Sequence, residues 1–276
     1  MKLIGGLELA ESIKRRHARE VRELRNSGVV PKLAIVQIKD DPVINTYVRL
    51  KQQYGKDIGA EVEVHKIGQN EARELLNKLS NSAKVHGIIV QLPLVDPAQT
   101  EEIVNLVNPD KDVDALGQNS KFEPATPMAI LWLLAEHDIE LQGKHVLLIG
   151  RGKLVGMPLE RILRSSGIDV QTIGRDITDL PLHALAADVI ITATGSPAIL
   201  YPDMIKQGAV VVDAGVASES GKKVGDLAPE VYERDDLTIT PPKGGAGPLT
   251  VCALFENLIK AAAEQTSSVG RQGSAS

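Results

Sequence analysis

The chain has 276 residues, 43% hydrophobic and 24% charged, with a formal net charge of −5. This composition excludes wholesale disorder, suits one or two domains, and argues against nucleic acid as the main partner, because phosphate binding needs a basic field. The one cysteine, Cys252, forbids an internal disulfide, suits a reducing cytoplasm, and sits among apolar residues where a buried helical position is expected rather than a nucleophile.

Residues 1–6 have no extended apolar core, so no targeting segment is expected, and the longest apolar run, 128–135, is too short to cross a bilayer. A helical pattern covers Leu7–Asn26 and Gly28 closes it. Residues 32–38 are continuously apolar enough for a parallel strand covered on both faces. Asp40-Asp41-Pro42 reads as a turn and helix start, with the helix running to Ile58 and Gly59 as its stop. A strand over 61–67, a helix over 70–79 and a buried strand over 87–92 follow. Residues 117–127 are polar, with Pro124 and Pro127, and read as a linker before a helix over 128–136.

The most informative stretch comes next. An apolar strand, 144–149, runs into Gly150-Arg151-Gly152-Lys153-Leu154-Val155-Gly156 and then a helical pattern. A tight turn, a bare backbone and free helix N–H groups are what a dinucleotide pyrophosphate needs, although this spacing is one residue longer than the usual fingerprint. Strands are expected again at 169–173, 188–194, 209–214 and 237–240, a Rossmann-like set, before a strong helix over 248–263 that folds back on the first domain. The expected division is 1–120 plus 248–264 against 121–247, with a Ser/Gly-rich disordered tail at 265–276. The fold class is therefore α/β with two domains.

Some polar residues stand out. Gln91 interrupts an apolar strand near its carboxyl end, either as a structural hydrogen-bonder or as a site residue. Tyr47 and Lys51 share one helix face: a solvated lysine packed on a tyrosine, or a partly desolvated amine able to move protons near neutral pH. Asp110-Lys111-Asp112-Val113-Asp114 crowds charge in a loop, which a solvated turn would also do. The six histidines are scattered singly, so no metal site is expected.

Several segments, taken in order, carry a resemblance. They are Asp41-Pro42 with Tyr47-Val48-Arg49-Leu50-Lys51, Gln91-Leu92-Pro93-Leu94, Pro109 to Asp114, Ala125-Thr126-Pro127, the glycine turn, Val224-Gly225-Asp226, and Gly244-Gly245-Ala246-Gly247-Pro248. Together they resemble the bifunctional methylenetetrahydrofolate dehydrogenase/cyclohydrolase family over roughly residues 3–260. The resemblance implies a folate domain and a Rossmann domain flanking a cleft, a homodimer formed through the Rossmann domain, and no membrane partner. It also implies that Lys51 transfers protons in the cyclohydrolase step, that Tyr47 stacks near the pterin, that Gln91 orients Lys51, and that Asp114 holds the pterin N–H edge. Gly247 and Pro248 fall at its substrate-binding positions, and Gly150, Arg151, Gly152 and Val216 at its cofactor positions.

The chain departs from the family pattern at Ala115, where glycine is usual, and at Ala125, Pro242-Lys243 and Ala217. None of these removes a proposed catalytic side chain. NADP is the expected cofactor, because Arg175 follows the second Rossmann strand where it can pair with a 2′-phosphate, and Arg151 adds a second cation. Asp176 beside it is the feature that would favour NAD.

Overall fold

The computed structural model describes residues 1–174, 178–215, 217–219 and 222–272, with the side chains of 217–219, 222–223 and 266–272 outside the description. In chain order the elements are β1 (Lys2–Leu3), α1 (Leu7–Asn26), β2 (Lys32–Gln37), α2 (Pro42–Ile58), β3 (Glu61–Lys66), α3 (Ala72–Ser80), β4 (Gly87–Gln91) and α4 (Thr100–Val104). They continue as α5 (Ala125–Glu136), β5 (Val146–Ile149), α6 (Gly156–Ser165), β6 (Val170–Ile173), α7 (Leu180–Ala186), β7 (Val189–Thr192) and β8 (Val210–Asp213). A short antiparallel pair, β9 (Ala217–Glu219) and β10 (Lys222–Val224), then β11 (Thr238–Ile239) and α8 (Ala246–Gln272), complete the fold.

The chain forms two compact units. One comprises Met1–Ala10 and Thr126–Thr250, the other Glu11–Ala125 and Val251–Ser276. The expected boundaries at 120 and 247 therefore move by a few residues, and the first ten residues change sides. Backbone pairing is the reason. Lys2 N–H donates to the Leu237 carbonyl at 2.8 Å and Ile4 N–H to that of Ile239 at 2.9 Å, so β1 becomes an edge strand beside β11. A two-residue strand has too little periodicity to be seen in sequence.

In the six-stranded unit the order is β1-β11-β8-β7-β5-β6, and each paired register is parallel. Val146–Ile149 is buried at every position, as a parallel strand covered on both faces should be. Leu147, Ile149, Ile190, Val211 and Ile239 share one core with Leu180 and Ala184 of α7.

The other unit is built on a parallel sheet ordered β3-β2-β4, in which Gln37 lies opposite Gln91. Ala34, Val36, Ile88 and Val90 pack with Leu76 of α3 on one side. Elsewhere in this unit the Tyr54 ring of α2 meets Phe255 of α8 at 4.8 Å. Gly55 lets α2 approach β3 closely, since a Cβ there would lie 2.4 Å from a Val62 methyl.

Two helices run longer than their patterns. α5 starts at Ala125, inside the expected linker. α8 reaches Gln272, so residues 265–272 are helical rather than disordered, and 273–276 lie outside the described residues. Once a helix is nucleated each added residue brings its own hydrogen bond, which lets a packed apolar helix extend into a polar tail. Among the described residues no helix is long and apolar enough to cross a membrane.

Candidate active site

The site in the three-stranded unit begins with a helix cap. Asp41 accepts the N–H groups of Val43 and Ile44 at 2.8 and 3.4 Å, and Pro42 supplies the fixed φ of a first turn. The cap sets the phase of α2, which buries Ile44, Val48 and Ile58 and leaves Tyr47 and Lys51 one turn apart on a partly exposed face.

Lys51 meets Gln91. The Nζ donates to Oε1 at 2.7 Å, while the Gln91 Nε2 donates to its neighbour's carbonyl, that of Leu92, at 3.2 Å. With its N–H₂ committed, the amide presents only its oxygen to the ammonium. Burial pushes the Lys51 pKa below the ordinary lysine range, and the Asp114 carboxylate acts in the opposite sense. Asp114 in turn is pushed up by burial and drawn down by Lys51. The 2.7 Å contact is the geometry that the reading of an amine held by an amide requires.

The three carboxylates of the acidic loop have separate roles. Asp110 is exposed and pairs with Lys121. Asp112 is buried, accepts the N–H of Gly117 at 2.8 Å, and burial lifts its pKa to about 6. It is the residue that shapes the loop. Asp114 alone faces Lys51 electrostatically. Ala115 follows it at φ 56°, in the left-handed region, where the family's usual glycine would be unstrained. Asn257 of α8 pins this loop by donating to the carbonyls of Val113 at 3.0 Å and Glu123 at 2.9 Å. Sequence reasoning missed Asn257, although one amide on the apolar stripe of the last helix was a visible signal.

In the six-stranded unit the glycine turn joins β5 to α6. Gly150 has φ 123°, and a Cβ there would lie 2.5 Å from the Ala193 carbonyl oxygen. A Cβ on Gly156 would lie 2.0 Å from the Gly150 oxygen. Gly152 faces open space within 4 Å of its Cβ position. Bare backbone at these positions, opening onto the first turn of α6, fits a phosphate-bearing dinucleotide. Arg151 donates to the Thr172 carbonyl at 2.7 Å, which directs its guanidinium to the end of β6. Arg175 and Val216 lie outside the described residues. Gly247 and Pro248 occupy the first turn of α8, within the six-stranded unit, with Gly247 exposed.

Two further features concern buried polar groups. Cys252 is a fully buried thiol beside Tyr54, as expected. His17 and Glu20 of α1 and Glu256 of α8 bring their ligand atoms within 4.8 Å of one another. The Arg16 guanidinium already bridges the two carboxylates, at 3.0 Å to Glu20 and 2.6 Å to Glu256.

A glycine turn on a parallel sheet in one unit, with a desolvated amine held by an amide in the other, defines a two-domain α/β protein built for dinucleotide-linked chemistry. Two family models match it: the tetrahydrofolate dehydrogenase/cyclohydrolase catalytic domain over residues 4–114 and the NAD(P)-binding domain of the same family over 124–266. The bifunctional protein FolD of Nautilia profundicola is 33% identical over 276 residues, spanning 95% of this chain and 97% of that protein. The crystal structure of the bifunctional enzyme FolD, methylenetetrahydrofolate dehydrogenase/cyclohydrolase, from Campylobacter jejuni matches with a TM-score of 0.89 at 35% identity, covering 96% of this chain and 99% of that one. That of the Trypanosoma brucei enzyme complexed with NADP cofactor and inhibitor also gives 0.89, at 27% identity over 96% and 98% of the two chains. This chain belongs to the tetrahydrofolate dehydrogenase/cyclohydrolase family.

Proposed function

We propose that the protein oxidises 5,10-methylenetetrahydrofolate to the 5,10-methenyl compound and hydrolyses that product to 10-formyltetrahydrofolate. The observation that carries this reading is the Lys51 Nζ to Gln91 Oε1 contact at 2.7 Å. A protein that only bound folate would gain nothing from a desolvated amine held in one orientation.

NADP, when bound, supplies the acceptor for the hydride leaving the methylene carbon. The residues that would hold it are Gly150, Arg151 and Gly152, with Arg175 and Val216, and the bare cradle at the glycine turn fits its phosphates. For hydrolysis, water oxygen bonds to the cationic methenyl carbon as one of its protons passes to Lys51; the bond from that carbon to N5 then breaks as N5 takes that proton, and the remaining hydroxyl proton leaves to solvent as the formyl carbonyl forms on N10. Lys51, with its pKa lowered by burial, accepts and returns the proton at Nζ. Gln91 keeps that nitrogen aimed. Asp114 offers two oxygens to the amino and ring N–H edge of the pterin, a bidentate match, and Tyr47 stacks near the ring. Gly247 and Pro248 complete the substrate-binding set.

The protein works as a homodimer in the cytoplasm, a reading supported by its family membership and by a cysteine usage suited to a reducing compartment. Its acidic charge supports a small-molecule substrate over nucleic acid. The decisive assay supplies methylenetetrahydrofolate with NADP and follows reduced cofactor, then supplies methenyltetrahydrofolate alone and follows its disappearance. Both turnovers are expected. Absence of both overturns the enzymatic reading, and a monomeric mass at micromolar concentration overturns the dimer.

A further inference from the structure

Two carboxylates, Asp226 buried and Asp213 half-buried, interlock beyond the carboxyl ends of β7 and β8, beside the glycine turn, and the chemistry above does not use them. Asp226, fully buried, accepts the N–H of Thr194 at 2.7 Å on one oxygen and that of Ser196 at 3.1 Å on the other. Its own carbonyl accepts Ile199 N–H at 2.8 Å, so Asp226 holds the loop following β7 at Thr194, Ser196 and Ile199. Asp213, the last residue of β8, accepts from Gly215 N–H at 3.0 Å, Asp226 N–H at 3.1 Å, Leu227 N–H at 3.4 Å and Thr192 Oγ1 at 3.3 Å. The two residues thus hold each other and the two loops.

The fit is reciprocal and tight. A Cβ on Gly215 would lie 1.9 Å from Asp226 Oδ1, and a Cβ on Gly225 would lie 1.9 Å from Asp213 Oδ2. Each glycine is bare because a carboxylate occupies the space its side chain would take. The loop held by Asp226 starts against the glycine turn: a Cβ on Gly150 would be 2.5 Å from the Ala193 oxygen and 3.3 Å from Thr194 N. In a parallel α/β sheet the loops beyond adjacent strand ends share the ligand crevice, and β5, β7 and β8 are consecutive neighbours here.

We infer that Asp226, locked by Asp213, is a positioning residue for the dinucleotide site, fixing the 194–196 loop against the glycine turn so that the cradle is formed before the cofactor arrives. This rests on the cofactor reading of the glycine turn. Asp226→Asn would set an amide N–H₂ against a backbone N–H, and Gly215→Ala would displace the carboxylate while keeping its charge.

The test uses the internal control this protein provides, since hydrolysis of methenyltetrahydrofolate takes no cofactor. Calorimetric titration with NADP should show Kd raised roughly tenfold or more in both variants, as the loss of a charge-assisted hydrogen bond predicts. KM for NADP should rise more than kcat falls, and hydrolysis should stay within about twofold of wild type, because Lys51, Gln91 and Asp114 belong to the other unit and, among the described residues, share no partner with Asp226 or Gly215. In Asp226→Ala/Gly215→Ala the effects should be less than additive, because the first change opens the space the second fills. Unchanged NADP affinity in both single variants overturns the proposal, as does loss of hydrolysis and folding in parallel with binding. A wild type that binds no NADP removes the cofactor reading itself, and this proposal with it.

Discussion

Lys51 and Gln91, forty residues apart, are joined by a 2.7 Å hydrogen bond in which the amide's other end is already spoken for by the Leu92 carbonyl. Lys51→Met removes the titrating amine, and methenyltetrahydrofolate hydrolysis should fall by roughly a hundredfold or more, the range of a lost general acid–base group. Hydride transfer should fall much less. Gln91→Glu places a carboxylate against the ammonium and favours its charged form, so the acid limb of the hydrolysis pH profile should move to higher pH. Stopped-flow or steady-state rates across pH decide both, and normal hydrolysis by Lys51→Met would remove Lys51 from the mechanism.

Asp114→Asn should move the same limb the other way. The Asp114 charge supports the Lys51 ammonium, so its removal lowers the lysine pKa further and shifts the limb to lower pH. The folate KM should rise about tenfold to a hundredfold through the lost charge-assisted contact. A limb displaced upward would contradict the electrostatic assignment.

Ala115 stands at φ 56°, a conformation that strains any side chain bearing a Cβ. Ala115→Gly should stabilise the fold by roughly 0.5–1 kcal/mol, the left-handed penalty relieved less the extra freedom of the unfolded glycine. Thermal melts at one pH measure it. A lower midpoint would show that the methyl group earns its place by packing.

Glu256 is held down to a pKa of about 2, chiefly by its hydrogen bond to His17, with Arg16 adding to the effect against burial. A carboxyl whose folded pKa lies below its unfolded value contributes stability that is complete above the unfolded pKa of about 4.3 and is lost as pH falls toward 2. Its side chain is 16% exposed, so the contribution at neutral pH is on the order of 2–3 kcal/mol. Denaturant midpoints of wild type and Glu256→Gln should differ at pH 7 and converge between pH 4 and 2. A gap that persists at pH 2 would assign the loss to packing instead.

Cofactor choice turns on two cations. Arg151 is directed to the end of β6 by its 2.7 Å bond to the Thr172 carbonyl, and Arg175 follows that strand in sequence. Arg175→Ala should weaken NADP by roughly tenfold or more while leaving NAD nearly unchanged, since only NADP offers a 2′-phosphate. Arg151→Ala should do so to a smaller degree. Equal losses for both cofactors, or a wild type that prefers NAD, would return the choice to Asp176.

What the sequence by itself determined about this protein lies within single elements. The cap at Asp41, the stop at Gly59, the glycine turn after β5 and the apolar strands were all legible, because helix phase, strand burial and left-handed turns are set by neighbours within a few residues. The ordered motifs likewise pointed to Lys51, Gln91 and Asp114 one at a time. Only the tertiary structure decided that Gln91 points its oxygen at Lys51, that of three loop carboxylates Asp114 is the one coupled to the Lys51 charge, and that Asn257 pins the loop. It also decided that the first residues form β1 beside β11, and that Asp213 and Asp226 lock two loops through spaces left by Gly215 and Gly225. These pairings join residues remote in the chain, and their free energy comes from desolvation and hydrogen-bond geometry that exist only after the sheets and helices have packed.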